Sequence, residues 1–287
     1  MFRKEDIIFI INPNSGSSKN FASKIKYLEA ENITYYMSQS IEKFDSFMSE
    51  NANQYKVFVL VGGDGTVNYF LQYINRYPQI VLAILPNGSG NGFAREMGFK
   101  NNIVRLVSQI LNGKIQTVDL IKVNNQFSCN MIGLGIDSLV ANEFSSSKER
   151  GLMTYVKLTL KTLLNYKPIE ATIHINDKII KGKYLMINIA NTRQFGNNAF
   201  ISPQSKYNDG LIELILLESM PFHFLFLRLI QMFTKSLKTS KYITYIETKK
   251  LKIESNAAYF HLDGEPFALQ NKGLTIEVQQ SFQVIKP

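Results

Sequence analysis

The sequence predicts an α/β domain with a parallel sheet and crossover helices, followed by a β-rich antiparallel domain with accessory helices. Strand-like and helix-like segments alternate in the first part of the chain, Gly-rich loops follow three of its strands, and strand-like segments succeed one another directly in the second part. Alternation is typical of parallel sheets, whereas successive strands are typical of hairpins. We predict domains at 1–121 and 122–287, with the last few residues returning to the first domain.

The first domain is built from apolar strands that are separated by helix-length segments. Near-continuous apolar runs suit a sheet that is covered on both faces. The predicted strands are 6–12, 33–38, 56–61 and 80–85, and the predicted helices lie near 20–31, 41–53 and 66–76. Ligands bind beyond the carboxyl ends of the strands in open α/β sheets, so the loops that follow three of these strands are expected to converge on one crevice.

The second domain is predicted to consist of hairpins and three helices. Its strand-like segments are 121–133, 169–191, 211–217, 242–255 and 257–267, with turns at Asn124-Asn125, Asn176-Asp177 and Lys249-Lys250. The helices are expected at about 138–148, 151–165 and 221–236. No internal repeat interrupts this pattern.

Length and composition limit the class of protein. At 287 residues the chain suits two domains of about 150 residues each. The single cysteine, Cys129, cannot form an internal disulfide, which predicts a reducing compartment. No secretory signal is apparent, and the longest apolar run falls short of the roughly 20 residues of a spanning helix. We therefore expect a cytoplasmic protein that is soluble or lies on a membrane surface.

The net charge of +9 is compatible with an acidic partner. We expect no nucleic acid, because zinc-finger spacing, a recognition-helix motif and a long basic run are all absent from the sequence. Residues 221–246 contain no acid. The basic residues of this segment are Arg228, Lys235, Lys238 and Lys241. As a helix, it is expected to place Phe224 and Leu227 on its polar face, where they could contact a membrane or pack under a second element.

The strongest single motif is Gly-Gly-Asp-Gly-Thr, residues 62–66, between a strand and a helix. Such loops hold phosphate, because their backbone N–H groups and the helix N-terminus face the anion. Asp64 would repel phosphate, and the loop has no lysine. A divalent cation resolves this conflict, so Asp64 predicts Mg²⁺ together with ATP.

The other two loops are less specific. Residues 12–16, Asn-Pro-Asn-Ser-Gly, could be an ordinary turn or a ligand-binding loop. The stretch 86–95 resembles a dinucleotide fingerprint, but Phe93 replaces its third glycine, which excludes a Rossmann loop.

Together these motifs resemble the diacylglycerol kinase catalytic-domain family, which includes bacterial diacylglycerol kinases, broad lipid kinases, and sphingosine and ceramide kinases. The three loops occur in that family's order and spacing, and the likeness continues through residues 133–140, 191–214 and 261–267. The resemblance implies transfer of the γ-phosphoryl group of ATP to a lipid hydroxyl, between a nucleotide domain and a lipid domain.

The resemblance also implies roles for individual residues. The expected ATP contacts are Asn12, Pro13, Asn14, Ser15, Gly16, Ser38, Gly62, Gly63, Asp64, Gly65, Thr66, Val67, Asn68 and Ser89. Asp263 and Glu265 would lie near the acceptor hydroxyl, with Glu265 favoured as the proton acceptor. Asp209 and the carbonyls of Lys206 and Leu211 would hold a structural Mg²⁺.

Elementary chemistry supports a carboxylate near the acceptor. A hydroxyl loses its proton as it attacks phosphorus, and a positioned base contributes roughly 10²–10⁴ in rate. In a continuous strand, Asp263 and Glu265 would share one face. The alternative is that Asp263-Gly264 forms a hairpin turn, which would separate the two acids.

The chain departs from the family pattern at Ser89, where the family's common loop has threonine, and at two further positions. Gly92 stands where an acid is common, and Tyr69 stands where glutamate is usual. The histidines His174, His223 and His261 show no metal spacing and are expected to be structural. The resemblance favours diacylglycerol as acceptor, although the sequence itself does not identify the lipid. It leaves open a sphingoid base, ceramide, a soluble acceptor as in NAD kinases, or a catalytically silent lipid-binding module, and also the oligomeric state.

Overall fold

The computed structural model describes residues 1–13, 21–147 and 151–287, with the side chains of Leu152 and Phe222 left out. The chain divides into two compact units. The first comprises Met1–Val118 and Ser281–Pro287, and the second comprises Asp119–Gln280. The predicted fold class, an α/β domain and a β-rich domain, is confirmed.

The first unit contains a parallel sheet in the order β2-β1-β3-β4. Its strands are β1 (Ile7–Ile11), β2 (Thr34–Met37), β3 (Val57–Gly62) and β4 (Val81–Pro86). Every residue of β1, β3 and β4 is buried. This burial on both faces explains why these strands are continuous apolar runs rather than alternating ones.

Helices connect these strands. They are α1 (Phe21–Ala30), α2 (Ile41–Asn51), α3 (Asp64–Arg76), α4 (Gly92–Glu96) and α5 (Ile103–Asn112). Helix α3 begins at Asp64, before the predicted start at 66, because the Gly63 carbonyl already accepts from the N–H groups of Thr66 and Val67. Helix α5 was not predicted, although Asn102 caps its start and Gly113 ends it with φ of 68°.

The second unit is a set of antiparallel strands that are numbered on from β5 (Ile115–Val123), which begins in the first unit. The strands are β6 (Gln126–Ser128), β7 (Met131–Gly135), β8 (Ile169–Ile175), β9 (Lys178–Ala190), β10 (Ile212–Glu218), β11 (Ile243–Thr248), β12 (Lys250–Ser255), β13 (Tyr259–Leu262), β14 (Glu265–Ala268) and β15 (Gly273–Ile285). Strand β15 ends in the first unit, where it pairs in parallel with β4.

The pairing of β11 and β12 differs from the prediction. A hairpin was expected at Lys249-Lys250, but β11 pairs with β10, while β12 pairs with β8 and β15. The Thr248 hydroxyl bonds to Lys250, and it also donates to the Asn176 side chain at 2.9 Å. These bonds hold the chain where it leaves one strand pair and enters another.

The described part of the second unit also contains the α-helices α6 (Ile136–Ser146), α7 (Leu152–Asn165) and α8 (Phe222–Phe233). Strand β10 illustrates the layering of this unit. Leu214 and Leu216 belong to one buried cluster, whereas Ile215 and Leu217 belong to a second cluster that packs against α7 and α8. Successive side chains of a strand point to opposite faces, so an apolar run can serve both clusters.

Candidate active site

Loops of the first unit meet at the carboxyl ends of its strands. The Asn12 N–H donates to the Val61 carbonyl at 3.3 Å, and the Ser38 N–H donates to Ile11 at 2.9 Å. The Asn87 N–H donates to Gly62 at 2.8 Å. The loops after β1, β2, β3 and β4 are thus joined by backbone hydrogen bonds, as expected at the ligand-binding edge of a parallel sheet.

Close backbone approach explains the glycines of the Gly-Gly-Asp-Gly loop. A Cβ on Gly62 would lie 2.4 Å from the Thr66 hydroxyl, and a Cβ on Gly88 would lie 2.7 Å from the Gly63 Cα. A side chain at Gly88 would push the two Gly-rich loops apart, whereas one at Gly62 would collide with Thr66 of its own loop. The glycines therefore keep backbone N–H groups of the loops close together, which is the geometry required to surround an anion.

Asp64 links the second and third loops. It is the first residue of α3, and its Oδ1 accepts a hydrogen bond from the Phe93 N–H at 3.3 Å. Its other oxygen lies near Gly90, where an added Cβ would be 3.1 Å away. Asp64 is partly exposed, and its Oδ1 joins the second loop to the third.

A pocket of about 270 Å³ opens beside these loops within the first unit. Four of the residues predicted to contact ATP line it, namely Asn12, Ser38, Gly65 and Thr66. The Asn12 amide donates to the Thr66 hydroxyl at 3.2 Å. The remaining wall is mostly apolar. Such a combination of an apolar wall and a few polar groups is typical of ligand pockets.

The other predicted ATP contacts lie in different surroundings. Ser89 is exposed, whereas Val67 is buried and donates its N–H to Gly63, so it contributes packing rather than a free polar group. Pro13 follows Asn12 in a turn, and Asn68 is half-buried on α3. Asn14, Ser15 and Gly16 lie outside the described residues.

A buried lysine, which the sequence analysis missed, reaches the third loop. Lys24 on α1 is only 7% exposed, and its ammonium donates to the Asn87 side chain at 3.1 Å. Burial lowers the pKa of Lys24. Lys24 therefore places a basic group of α1 next to the third loop, and the separation of 63 positions between Lys24 and Asn87 left no sequence signal of the contact.

In the second unit, Asp263 and Glu265 are separated by a turn, so the expectation that they share one face is wrong. Asp263 and Gly264 both have positive φ, 53° and 93°, and connect the antiparallel strands β13 and β14. Asp263 is buried, whereas Glu265 is exposed. The hairpin alternative is therefore correct, because the turn reverses the chain between the two acids.

The Asp263 carboxylate is fully used within the protein. It accepts hydrogen bonds from the Ser128 hydroxyl at 2.6 Å and from the N–H groups of the next three residues, Cys129, Asn130 and Met131, at 2.9–3.3 Å. Four donors around one buried carboxylate fix the turn onto the start of β7. This geometry suits a positioning role better than proton transfer, and it leaves Glu265 as the accessible acid.

A buried pair beside this turn was also missed. The His261 Nε2 lies 3.2 Å from the Asp137 carboxylate, and His261 Nδ1 accepts from the Gly264 N–H at 3.4 Å. Because Nδ1 accepts, Nε2 carries the proton that it donates to Asp137. A Cβ on Gly133 would lie only 2.0 Å from Asp137 and 2.3 Å from His261, so glycine is required there. His261 is thus held inside the second unit by Asp137 and Gly264, and its expected structural role stays a prediction.

The predicted structural metal loop, Lys206–Leu211, packs against Asp119. The Asp119 carboxylate accepts from the Gly210 N–H at 2.7 Å, and Asp209 Oδ1 accepts from Leu211 at 3.0 Å. Asp209 is exposed. Among the described residues, no group of three or more His, Cys, Asp or Glu side chains is arranged to hold a metal. Any Mg²⁺ here would therefore keep several waters, as this ion commonly does.

Helix α8 exposes an apolar face instead of the predicted polar one. Phe226 is 59% exposed, and Leu227, Ile230 and Phe233 are 40–45% exposed. Phe224 is half-buried and packs against the Tyr242 ring with centroids 5.7 Å apart, which corresponds to the alternative of packing under a second element, whereas Leu227 is exposed. Among the residues that can be described, no helix is long and apolar enough to cross a bilayer.

Comparison with known proteins divides the chain at nearly the same place. Residues 6–123 match the model of the diacylglycerol kinase catalytic domain, and residues 130–282 match that of the YegS C-terminal NAD kinase beta sandwich-like domain. A "Putative lipid kinase" of Staphylococcus carnosus (strain TM300) is 29% identical over 197 residues. That alignment covers 66% of this chain and 64% of the relative.

Further relatives are consistent with these matches. "Putative lipid kinase SaurJH9_0749" of Staphylococcus aureus (strain JH9) is 30% identical over 177 residues, covering 61% of this chain and 58% of the relative. The chain thus spans less than two thirds of the length of these curated relatives. The crystal structure of a putative diacylglycerol kinase from Bacillus anthracis str. Sterne has the same fold, with a TM-score of 0.78 at 20% identity, over 99% of this chain and 97% of that one.

Proposed function

Because the chain belongs to the diacylglycerol kinase catalytic-domain family, with a second domain of the YegS C-terminal type, we propose that it transfers the γ-phosphoryl group of ATP to a lipid hydroxyl. Diacylglycerol is the proposed acceptor, and phosphatidic acid is the product. The observation that carries the proposal is the junction of the Gly-Gly-Asp-Gly loop with the third loop at Asp64, beside a pocket lined by Asn12 and Thr66.

The first unit supplies the groups that a nucleoside triphosphate needs. The N-terminus of α3 and the glycine N–H groups favour phosphate. Lys24 adds positive charge beneath the third loop. Asp64 and the phosphates would together hold Mg²⁺, which neutralises charge that develops on the transferring group when it is bound. The partly exposed Asp64 carboxylate fits such an ion, because oxygen ligands are those that Mg²⁺ prefers.

The second unit supplies the proton acceptor. The acceptor hydroxyl oxygen attacks the γ-phosphorus, the bond to ADP breaks, and the hydroxyl proton passes to the Glu265 carboxylate. Glu265 begins β14 and is exposed to solvent, so a substrate can reach it. The turn that precedes Glu265 is fixed by Asp263 and by the pair of Asp137 and His261.

A direct assay tests the proposed reaction. Purified protein is incubated with labelled ATP and Mg²⁺ in five separate reactions. Each reaction contains one acceptor, which is diacylglycerol, sphingosine, ceramide, a polyprenol or NAD. We expect label in phosphatidic acid. Label in phosphorylated sphingosine or ceramide would reassign the acceptor. Transfer to NAD alone would favour the soluble-acceptor alternative. NAD is included in the assay because the family model that matches the second domain is described as NAD kinase beta sandwich-like. Transfer to none of the five would contradict the proposal.

We predict that Mg²⁺ stabilises the folded protein through Asp209. Replacing Asp209 with asparagine keeps the acceptor for the Leu211 N–H but removes the charge that attracts the cation. The melting temperature of the wild type should rise when Mg²⁺ is added, and this rise should be lost in the variant. The matched control is Asp177→Asn, which removes an exposed turn carboxylate elsewhere in the second unit. An equal rise in all three proteins would exclude a metal at Asp209.

The exposed faces of α7 and α8 are proposed to bring the enzyme to the inner face of the membrane. Both helices pack on one buried cluster of the second unit. Helix α7 exposes Met153, Leu160 and Leu164 together with lysines, and segment 221–246 lacks acids. Apolar side chains that enter the headgroup region, with cations facing anionic lipid, are the usual features of an interfacial helix.

We expect serine at both Phe226 and Leu227 to weaken binding to phosphatidylglycerol vesicles at least about tenfold, because two apolar side chains no longer leave water. Co-sedimentation measures the change. Activity on vesicles should fall in parallel, while activity on a short-chain soluble acceptor is preserved. The control is Ile179→Ser, since Ile179 on β9 is 61% exposed but lies outside both helices. Equal loss of all three readouts would assign the α8 residues to folding.

A further inference from the structure

Tyr69 lies on the wall of the first-unit pocket, at the position where the family pattern has glutamate. The pocket floor is formed by Ile10 and Leu60, which are neighbours across β1 and β3. Phe44 and Phe70 add aromatic walls. A floor and walls of this kind suit a flat heterocycle. Of the polar lining residues, Thr66 lies in the first turn of α3 and accepts a hydrogen bond from the Asn12 amide. The inference below rests on the proposed binding of ATP in this pocket.

A chain of hydrogen bonds fixes the direction of the Tyr69 hydroxyl. Tyr73 is buried, and its hydroxyl donates to the Asp45 carboxylate on α2. Tyr69 and Tyr73 lie with their hydroxyl oxygens 3.2 Å apart. A phenol has one hydrogen, and that of Tyr73 is already donated to Asp45. Tyr69 must therefore be the donor to Tyr73, which leaves its own oxygen able only to accept.

The aromatic neighbours hold this chain in place. The Phe44 ring packs edge-on against Tyr73 with centroids 5.3 Å apart, and it lies 6.1 Å from the Tyr69 ring. Burial raises the pKa of Tyr73 and of Tyr69, so both phenols stay protonated near neutral pH. The Tyr69 O–H bond therefore keeps one orientation, toward Tyr73, and the Tyr69 oxygen faces the ligand only as a hydrogen-bond acceptor.

We propose that the Tyr69 oxygen accepts a hydrogen bond from the exocyclic amine of adenine and so selects ATP over nucleotides with a carbonyl at that ring position. The phosphates are placed at the N-terminus of α3, and Tyr69 lies on the second turn of that helix with its hydroxyl directed toward Tyr73 on the next turn. The base end of the nucleotide would therefore face Tyr69. A carbonyl there would meet an oxygen that has no hydrogen to donate, which disfavours binding.

Binding of three nucleotides tests the proposal. Titration calorimetry compares ATP, purine riboside triphosphate, which lacks the amine, and inosine triphosphate, which carries a carbonyl instead. We expect the wild type to prefer ATP over purine riboside triphosphate by about three- to tenfold, the worth of one neutral hydrogen bond. Tyr69→Phe should bind these two equally. Tyr35→Phe is the control, because the Tyr35 hydroxyl bonds to Glu29 on the surface of the same unit.

The Tyr73→Phe variant tests the direction of the chain. Without the Tyr73 oxygen, the Tyr69 hydrogen is free to turn toward the ligand, so inosine triphosphate should gain affinity relative to ATP. A merely structural role for Tyr73 would weaken both nucleotides alike and would overturn the proposal. An unchanged preference for ATP in Tyr69→Phe would also overturn it, while leaving the kinase function intact. A wild type that binds none of the three would contradict the proposed function and the inference together.

Discussion

Replacing Asp64 with asparagine is expected to lower phosphoryl transfer at least about a hundredfold while the protein stays folded. The asparagine oxygen can still accept from the Phe93 N–H, so the junction of the two loops is kept. What is lost is the negative charge that would face Mg²⁺. Steady-state assay with the acceptor found in the lipid panel measures the effect. Glu50→Gln is the control, because Glu50 is an exposed acid on α2 of the same unit.

Metal dependence separates a catalytic from a structural role of Asp64. A carboxylate repels phosphate, so the asparagine variant should bind ATP without Mg²⁺ as well as the wild type or better. Its affinity for ATP with Mg²⁺ should instead fall. If the residue only held the loops, both affinities would fall together and the melting temperature with them. A variant that keeps more than about a tenth of the wild-type rate would show that Asp64 is dispensable for catalysis.

The fold of the first unit follows from local signals, which explains why the sequence predicts it closely. Strands β3 and β4 are short apolar runs that end at Gly62 and Pro86, and the parallel sheet buries them on both faces. The missed helix α5 carried equally local signals, with Asn102 at its start and Gly113 at its end. Such caps are readable, so this element could have been predicted.

Pairings between distant segments are harder to predict. Nothing local distinguishes a hairpin at Lys249-Lys250 from the observed change of partner, because both place two strand-like runs next to each other in sequence. The contact between Lys24 and Asn87, and the pair of Asp137 and His261, likewise join residues that are far apart. Such features depend on the tertiary fold rather than on spacing or residue type.

The acids of the second unit show how one local signal can override another. Strand periodicity predicts that Asp263 and Glu265 share a face, but Asp-Gly is also a common hairpin turn. The turn prevails because Asp263 gains four hydrogen bonds when it is buried in this conformation. The two acids are therefore expected to differ in what their substitution does, which gives a direct test of the proposed proton acceptor.

Replacing Glu265 with glutamine is expected to lower kcat by roughly 10²–10⁴ with little change in the KM for ATP, because the variant loses a proton acceptor rather than a nucleotide contact. Glu265 is exposed, so the melting temperature should stay close to that of the wild type. Steady-state kinetics at varied ATP, with saturating lipid acceptor, separates the two constants. A normal kcat would place the base at another residue.

The paired variant Asp263→Asn should behave in the opposite way. Asparagine has no negative charge and only one acceptor oxygen, so it cannot replace the carboxylate that accepts from four donors. Hydrogen bonds to charged groups contribute about 1.5–3 kcal/mol each to the free energy of unfolding. Its melting temperature should therefore fall clearly, and any loss of activity should follow the loss of folded protein. If Asp263→Asn were instead stable and inactive, while Glu265→Gln kept a normal kcat, the carboxylate held by Ser128 and the β7 backbone would itself have to be the proton acceptor. The burial of Asp263 and the exposure of Glu265 predict the reverse.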